Sequence, residues 1–186
     1  MSRIFLALTL FFLSGAAQAQ VNPDLAEPSN PPTSIVGPMT PERLLTILVA
    51  LDEEAGPRAG GIGLTIADIP VVVFLDPVAN RMRAVVPVAS ADALTQDDML
   101  RVLQANFDTA LDARYAIANG RLWSTYIHPL AELQTRQLIS GLAQTVTLAQ
   151  TYGTAYTSGT MTFGAGDSAE RFRDLMEDLM ERGEEL

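Results

Sequence analysis

The chain has 186 residues, with 22 acidic against 12 basic side chains, a formal charge of −10 at pH 7, one His and no Cys. That composition excludes disulfides, Cys-ligated metal centres and two-His metal sites. The negative balance argues against nucleic acid and anionic membrane surfaces as main partners, because both are held by positive patches. Every basic residue is Arg, so Schiff-base chemistry on a Lys amine is impossible.

The first nineteen residues read as a secretory signal peptide. Arg3 supplies the positive region, Ile4 to Leu13 the apolar run, and Ala17-Gln18-Ala19 the cleavage site, with cleavage expected before Gln20. The apolar run is shorter than the roughly 20 residues a membrane span needs. A periplasmic or secreted location is the expectation, and an exported chain without disulfides must be stable by its core alone. Residues 20–39 carry five prolines among polar residues and read as an extended linker.

A first helix is expected from Thr40. Thr caps, Pro41 suits the first turn, Glu42 favours the positive helix end, and Leu44, Leu45, Leu48, Val49 and Leu51 form an apolar face. Gly56-Pro57 is read as its stop. Three strands follow. Ile62, Leu64 and Ile66 alternate; Val71 to Leu75 is a continuous run suited to a strand buried on both sides or central in a sheet; Arg81 to Val88 alternates after a turn at Asp76-Pro-Val-Ala-Asn80. Thr95-Gln-Asp-Asp98 reads as the cap of a second helix, with Met99, Leu100, Leu103 and Phe107 at helical spacing. Asn119-Gly120 between two alternating runs predicts a two-residue β-hairpin. A third helix has Thr135 as its expected cap and Leu138, Ile139, Leu142, Val146 and Ala149 as its stripe, and Gly153 closes it.

These elements predict an α+β domain: an antiparallel β-sheet with helices on one face, in the order α-β-β-β-α-β-β-α. Residues 153–166 are rich in Gly and Thr and fit a connector or a further edge strand over Thr154 to Phe163. Asp167-Ser-Ala-Glu170 then reads as a capping box. Phe172, Leu175, Met176, Leu179 and Met180 give residues 167–186 an amphipathic helix with acids outside.

The hairpin register places Tyr115, Ile117, Leu122, Ser124 and Tyr126 on one face, expected to meet the helices. Arg114, Ala116, Ala118, Arg121, Trp123, Thr125 and Ile127 share the other. Arg114, Arg121 and Trp123, the sole Trp, are therefore the candidate partner-binding residues, since an Arg beside a Trp is a composition enriched in binding hot spots. No catalytic residue is assigned, because His128 precedes Pro129 with no nucleophile elbow around it. Asp52-Glu53-Glu54 and Asp97-Asp98 read as solvated helix ends, not cation sites. Gly60-Gly61-Ile-Gly63 lacks the third glycine of a dinucleotide motif and reads as a flexible strand entry. No cofactor is expected.

The element order resembles that of bacterial YbjN-type and type III secretion chaperone-like proteins over about residues 40–152. Asn106, the strand ending in Asn119-Gly120, Leu122-Trp123, the Pro129-Leu130 exit, Leu133 and Gln144 carry the resemblance. It implies a chaperone-like α+β domain and, for the secretion-chaperone branch, small acidic homodimers that bind an extended client segment. That branch works in the cytoplasm, whereas this chain opens on a leader. The expectation is an exported, non-enzymatic protein-binding module whose partner is a protein client or a second copy. The alternatives are a self-associating envelope protein, in which the tail helix and the Trp face bury each other, and a hydrolytic or cation-dependent enzyme.

Overall fold

The computed structural model describes residues 37–108, 110–153 and 167–183. Helix α1 (Pro41–Leu51) is capped by Thr40, whose hydroxyl accepts from the Arg43 amide at 3.2 Å. It stops at Leu51, five residues before the expected Gly56-Pro57. Asp52 takes over there, its carboxylate accepting from the amides of Glu54 and Thr65 at 3.0 and 2.7 Å. Gly56-Pro57 instead opens a strand, β1 (Gly56–Arg58), that pairs with β2 (Gly61–Ile66). Strands β3 (Ile69–Asp76) and β4 (Arg81–Ser90) follow, then a 3₁₀ turn at Ala91–Ala93 and helix α2 (Gln96–Asp108). The hairpin is β5 (Arg114–Ala118) and β6 (Arg121–His128); α3 (Thr135–Gln150) and α4 (Asp167–Gly183) complete the order. The added strand aside, this is the expected α+β succession.

All six strands form one antiparallel sheet in the order β1-β2-β3-β4-β6-β5. Three of its hairpins turn in two residues, Arg58↔Gly61, Ile66↔Ile69 and Ala118↔Arg121. Their central residues all have positive φ: 50° and 82° at Ala59-Gly60, 48° and 63° at Ala67-Asp68, 52° and 70° at Asn119-Gly120. This is the primed geometry that matches strand twist.

Helix α3 crosses β4, β5 and β6, α1 lies on β2, and α4 packs on α3 and α1. The sheet side chains beneath them are Leu64, Ile66, Val71, Val73, Met82, Ala84, Val86, Leu122 and Tyr126, all buried. Strand β3 is central but buried on one side only, since Val71 and Val73 are fully covered and Phe74 is 36 % exposed. The α3 cap is Gln134, not Thr135: Gln134 and Gln137 form a reciprocal box, and the Thr135 hydroxyl accepts from the Arg43 guanidinium at 3.3 Å. The expected strand or loop over Thr154 to Phe163 lies outside the described residues, as do the leader and residues 20–36.

Candidate functional site: the helix-free face of the sheet

Alternation along each strand sends every second side chain away from the helices. The register aligns these outward residues in rows. One row is Arg58, Gly61, Phe74, Arg83 and Ile127; the next is Gly63, Val72, Val85, Thr125 and Arg114; a third is Pro87, Trp123 and Ala116. Arg81 and Asp76 close one end, Arg121 and Ser90 the other. Among the described residues no helix covers this face.

Two glycines make the floor compact. A Cβ on Gly61 would sit 3.1 Å from both Phe74 and Val72, so these side chains lean over its bare backbone. One on Gly63 would sit 2.7 Å from the Arg58 stem, which lies across it. The glycine run read as a flexible strand entry is thus a seat for outward side chains. Val85 is buried at the centre, Val72, Pro87, Trp123 and Thr125 are half-buried, and Phe74 and Ile127 stand exposed.

The hairpin register is the expected one, and it brings Arg121 and Trp123 together. The Arg121 guanidinium carbon lies 5.9 Å from the Trp123 ring centroid, within cation–π range. The indole N–H donates to the Ala118 carbonyl at 3.0 Å, which fixes the ring across the hairpin. Arg114 is not part of this pair. Its guanidinium donates to the carbonyls of Leu111 and Ala113 and lines a cavity of about 550 Å³ at the sheet margin, with Asp112, His128, Arg136 and Ser140. Ile127 of the hairpin lines a second cavity of about 400 Å³ with Phe74, Arg81 and Arg83, which the hairpin alone could not reveal. Their signal was the alternation of Arg81 and Arg83 with Met82 and Ala84, but placing them beside Ile127 requires knowing that β6 is the neighbour of β4.

The groups considered for chemistry have structural surroundings. His128 Nδ1 lies 2.7 Å from the Pro129 carbonyl and its ring stacks on Tyr126 with centroids 6.0 Å apart. Ser124 shares its face but is fully buried and four residues back along β6, roughly 13 Å away at strand rise. Thr125 is on the opposite face. Asp98 is the partner of Thr95 in the α2 capping box, and the Thr95 hydroxyl, then its amide, hold the carboxyl below the usual carboxylate range. The Glu132 carboxyl is also lowered, first by the Asn80 amide. That amide, with the Asn80 side-chain oxygen accepting from Ala131 at 2.8 Å, ties the β3–β4 turn to the entry of α3. Among the described residues no helix is long and apolar enough to cross a membrane.

Two residues that carried the family resemblance are clamps. Asn106 of α2 donates to the Tyr115 carbonyl at 3.1 Å and accepts from its amide at 2.7 Å, occupying the free edge of β5. Gln144 of α3 accepts from the amides of Asp112 and Ala113 at 2.7 and 3.1 Å.

No family model matches the chain, and no curated protein matches it. Several solved structures resemble it in part, two of them as follows. A chain of the ExsC–ExsE complex aligns with a TM-score of 0.48 and 14 % identity, covering 64 % of this chain and 97 % of its own. A chain of the HopA1–SchA chaperone–effector complex aligns with a TM-score of 0.43 and 13 % identity, covering 57 % and 90 %. Both alignments extend over part of this chain.

Proposed function

We propose that this chain is an exported, non-enzymatic protein-binding module that holds its partner on the helix-free face of the sheet. The observation that carries the reading is that face itself: Val72, Phe74, Val85, Pro87 and Trp123 adjoin across β3, β4 and β6, with exposed Arg83 between Phe74 and Ile127 and exposed Arg81 and Arg121 towards the two ends. Aromatic and Arg anchors are the side chains enriched at binding hot spots. Trp123→Ala and Phe74→Asp are expected to abolish co-purification of the partner from the native envelope fraction, while leaving the far-UV spectrum intact. Retention of the partner by both variants would refute the reading. Export rests on Arg3, the Ile4 to Leu13 run and Ala17-Gln18-Ala19. The intact mass of protein from its own cells should start at Gln20, and a mass that includes Met1 would contradict export.

A second reading, self-association, is favoured by α2. Leu100, Leu103 and Phe107 are more than half exposed and Met99 is 41 % exposed, on a helix that buries Val102 and Ala105 instead. The tail helix packs on α1 and α3, with Leu179 buried and Phe172, Leu175, Met176 and Met180 half-buried against the core. Sedimentation of Leu103→Glu against the parent chain tests this: a dimer that becomes a monomer supports it, and a monomer in both refutes it.

A further inference from the structure

We infer that the occupant of the helix-free face is an acidic amphipathic helix of a second protein. This rests on the binding reading above and adds the chemistry of the partner. The first observation is charge. The chain carries −10 overall, yet its outward strand positions hold Arg58, Arg81, Arg83, Arg114 and Arg121 against the single carboxylate of Asp76. Arg58, Arg81, Arg83 and Arg121 are exposed. Among the described residues the close ion pair present is Arg182 with Asp178, on α4; Arg81 lies opposite Asp76 and within electrostatic reach of Glu132, while Arg58, Arg83 and Arg121 have no carboxylate in contact. A cationic face on an anionic body attracts acidic partners and repels basic ones.

The second observation is the state of the sheet edges. A partner could add as a strand only at β1 or β5. Strand β1 has three residues with Pro57 in the middle, and β5 has its Tyr115 amide and carbonyl taken by Asn106. Short, Pro-containing and covered edges are poor templates for pairing. The face itself offers side chains and no free backbone. An extended segment laid across it would find no backbone partner in the sheet and would depend on water for its N–H and C=O groups, whereas a helix satisfies them internally. The opposite face already shows this arrangement, with α1 and α3 laid on the strands. An apolar stripe would follow the diagonal of Phe74, Val85 and Trp123, and carboxylates would reach Arg83 beside it and Arg58 and Arg121 towards its two ends.

The probe is a synthetic helical peptide of about 18 residues, with Leu at helical spacing and Glu elsewhere, set against a counterpart with Lys in place of Glu. It is titrated into the mature full chain, with Trp123 as the intrinsic reporter. The Glu peptide should shift the Trp123 emission saturably, and its affinity should fall about tenfold or more as salt rises from roughly 0.05 to 0.5 M. Arg83→Glu with Arg121→Glu should weaken it by about tenfold or more, with an unchanged melting profile, and Leu45→Glu, exposed on α1, should leave it unaltered. Equal binding of the Lys peptide, or no loss in the Arg variants, overturns the inference. So does a free chain that sediments as a dimer and dissociates on Arg83→Glu, since the occupant would then be a second copy. A partner cross-linked at Ile127 with no preference for the Glu peptide removes the acidic-helix claim and leaves the binding reading standing; no cross-link and no peptide binding remove both.

Discussion

Gly141 and Tyr126 show how single residues set the packing under the sheet. A Cβ on Gly141 would sit 2.3 Å from the Tyr126 ring, so the ring rests directly on the α3 backbone. Gly141→Ala should cost about 1–3 kcal/mol by overpacking, read as a lower urea midpoint with an unchanged slope. Burial, and then the charge of Asp112, push the Tyr126 phenol up to about 12. Its folded value exceeds its unfolded one, so below the ordinary value of 10 both states hold the proton and stability is indifferent to it. Above that value the unfolded chain releases a proton that the folded chain keeps, and stability falls as pH rises towards 12. Urea unfolding across that window should show the loss, and Tyr126→Phe should reduce it; an equal loss in both proteins would assign it elsewhere. Ala67 sits at a φ of 48°, where a Cβ is strained and Asn is tolerated better. Ala67→Asn should raise the melting temperature, and a lower one would show that the turn does not need that conformation.

At the scale of elements, the sequence was legible where local chemistry and tertiary packing agree. Asn119-Gly120 announced its hairpin because both residues accept positive φ, and Thr95 with Asp98 announced α2. Strand β1 was not legible. Its turn is Ala59-Gly60, Ala is not a turn signal, and Gly56-Pro57 carries a helix-stop pattern equally well. The α2 spacing announced the helix but not the side by which it packs. Met99, Leu100, Leu103 and Phe107 have the right spacing, but the helix faces β5 through Val102, Ala105 and Asn106, because the Asn106 amide pairs with the Tyr115 backbone. In α4 the stripe predicted correctly. Leu179 is fully buried, and Arg182 donates to the Leu51 carbonyl at 2.8 Å. Leu179→Ala should destabilise the chain by about 2–5 kcal/mol. A loss within a few tenths would mean that α4 contributes little to the core.

For the whole molecule, the sheet has one face packed under α1 and α3 and one that no helix covers among the described residues. Hairpin alternation revealed part of the second, namely Arg121, Trp123 and Ile127. It could not reveal Phe74 and Arg83, which reach the same patch only through the β4–β6 pairing, a contact between strands separated by α2 and β5. It also could not show that Arg114 turns back to the loop carbonyls. Site-specific photo-cross-linking in the native cell tests the central claim most directly, with a benzophenone amino acid placed at Ile127 on the helix-free face or at Leu45 on α1, both exposed. An adduct with a second protein at position 127 and none at 45 is the expected result. Adducts at 45 with none at 127 would contradict the account.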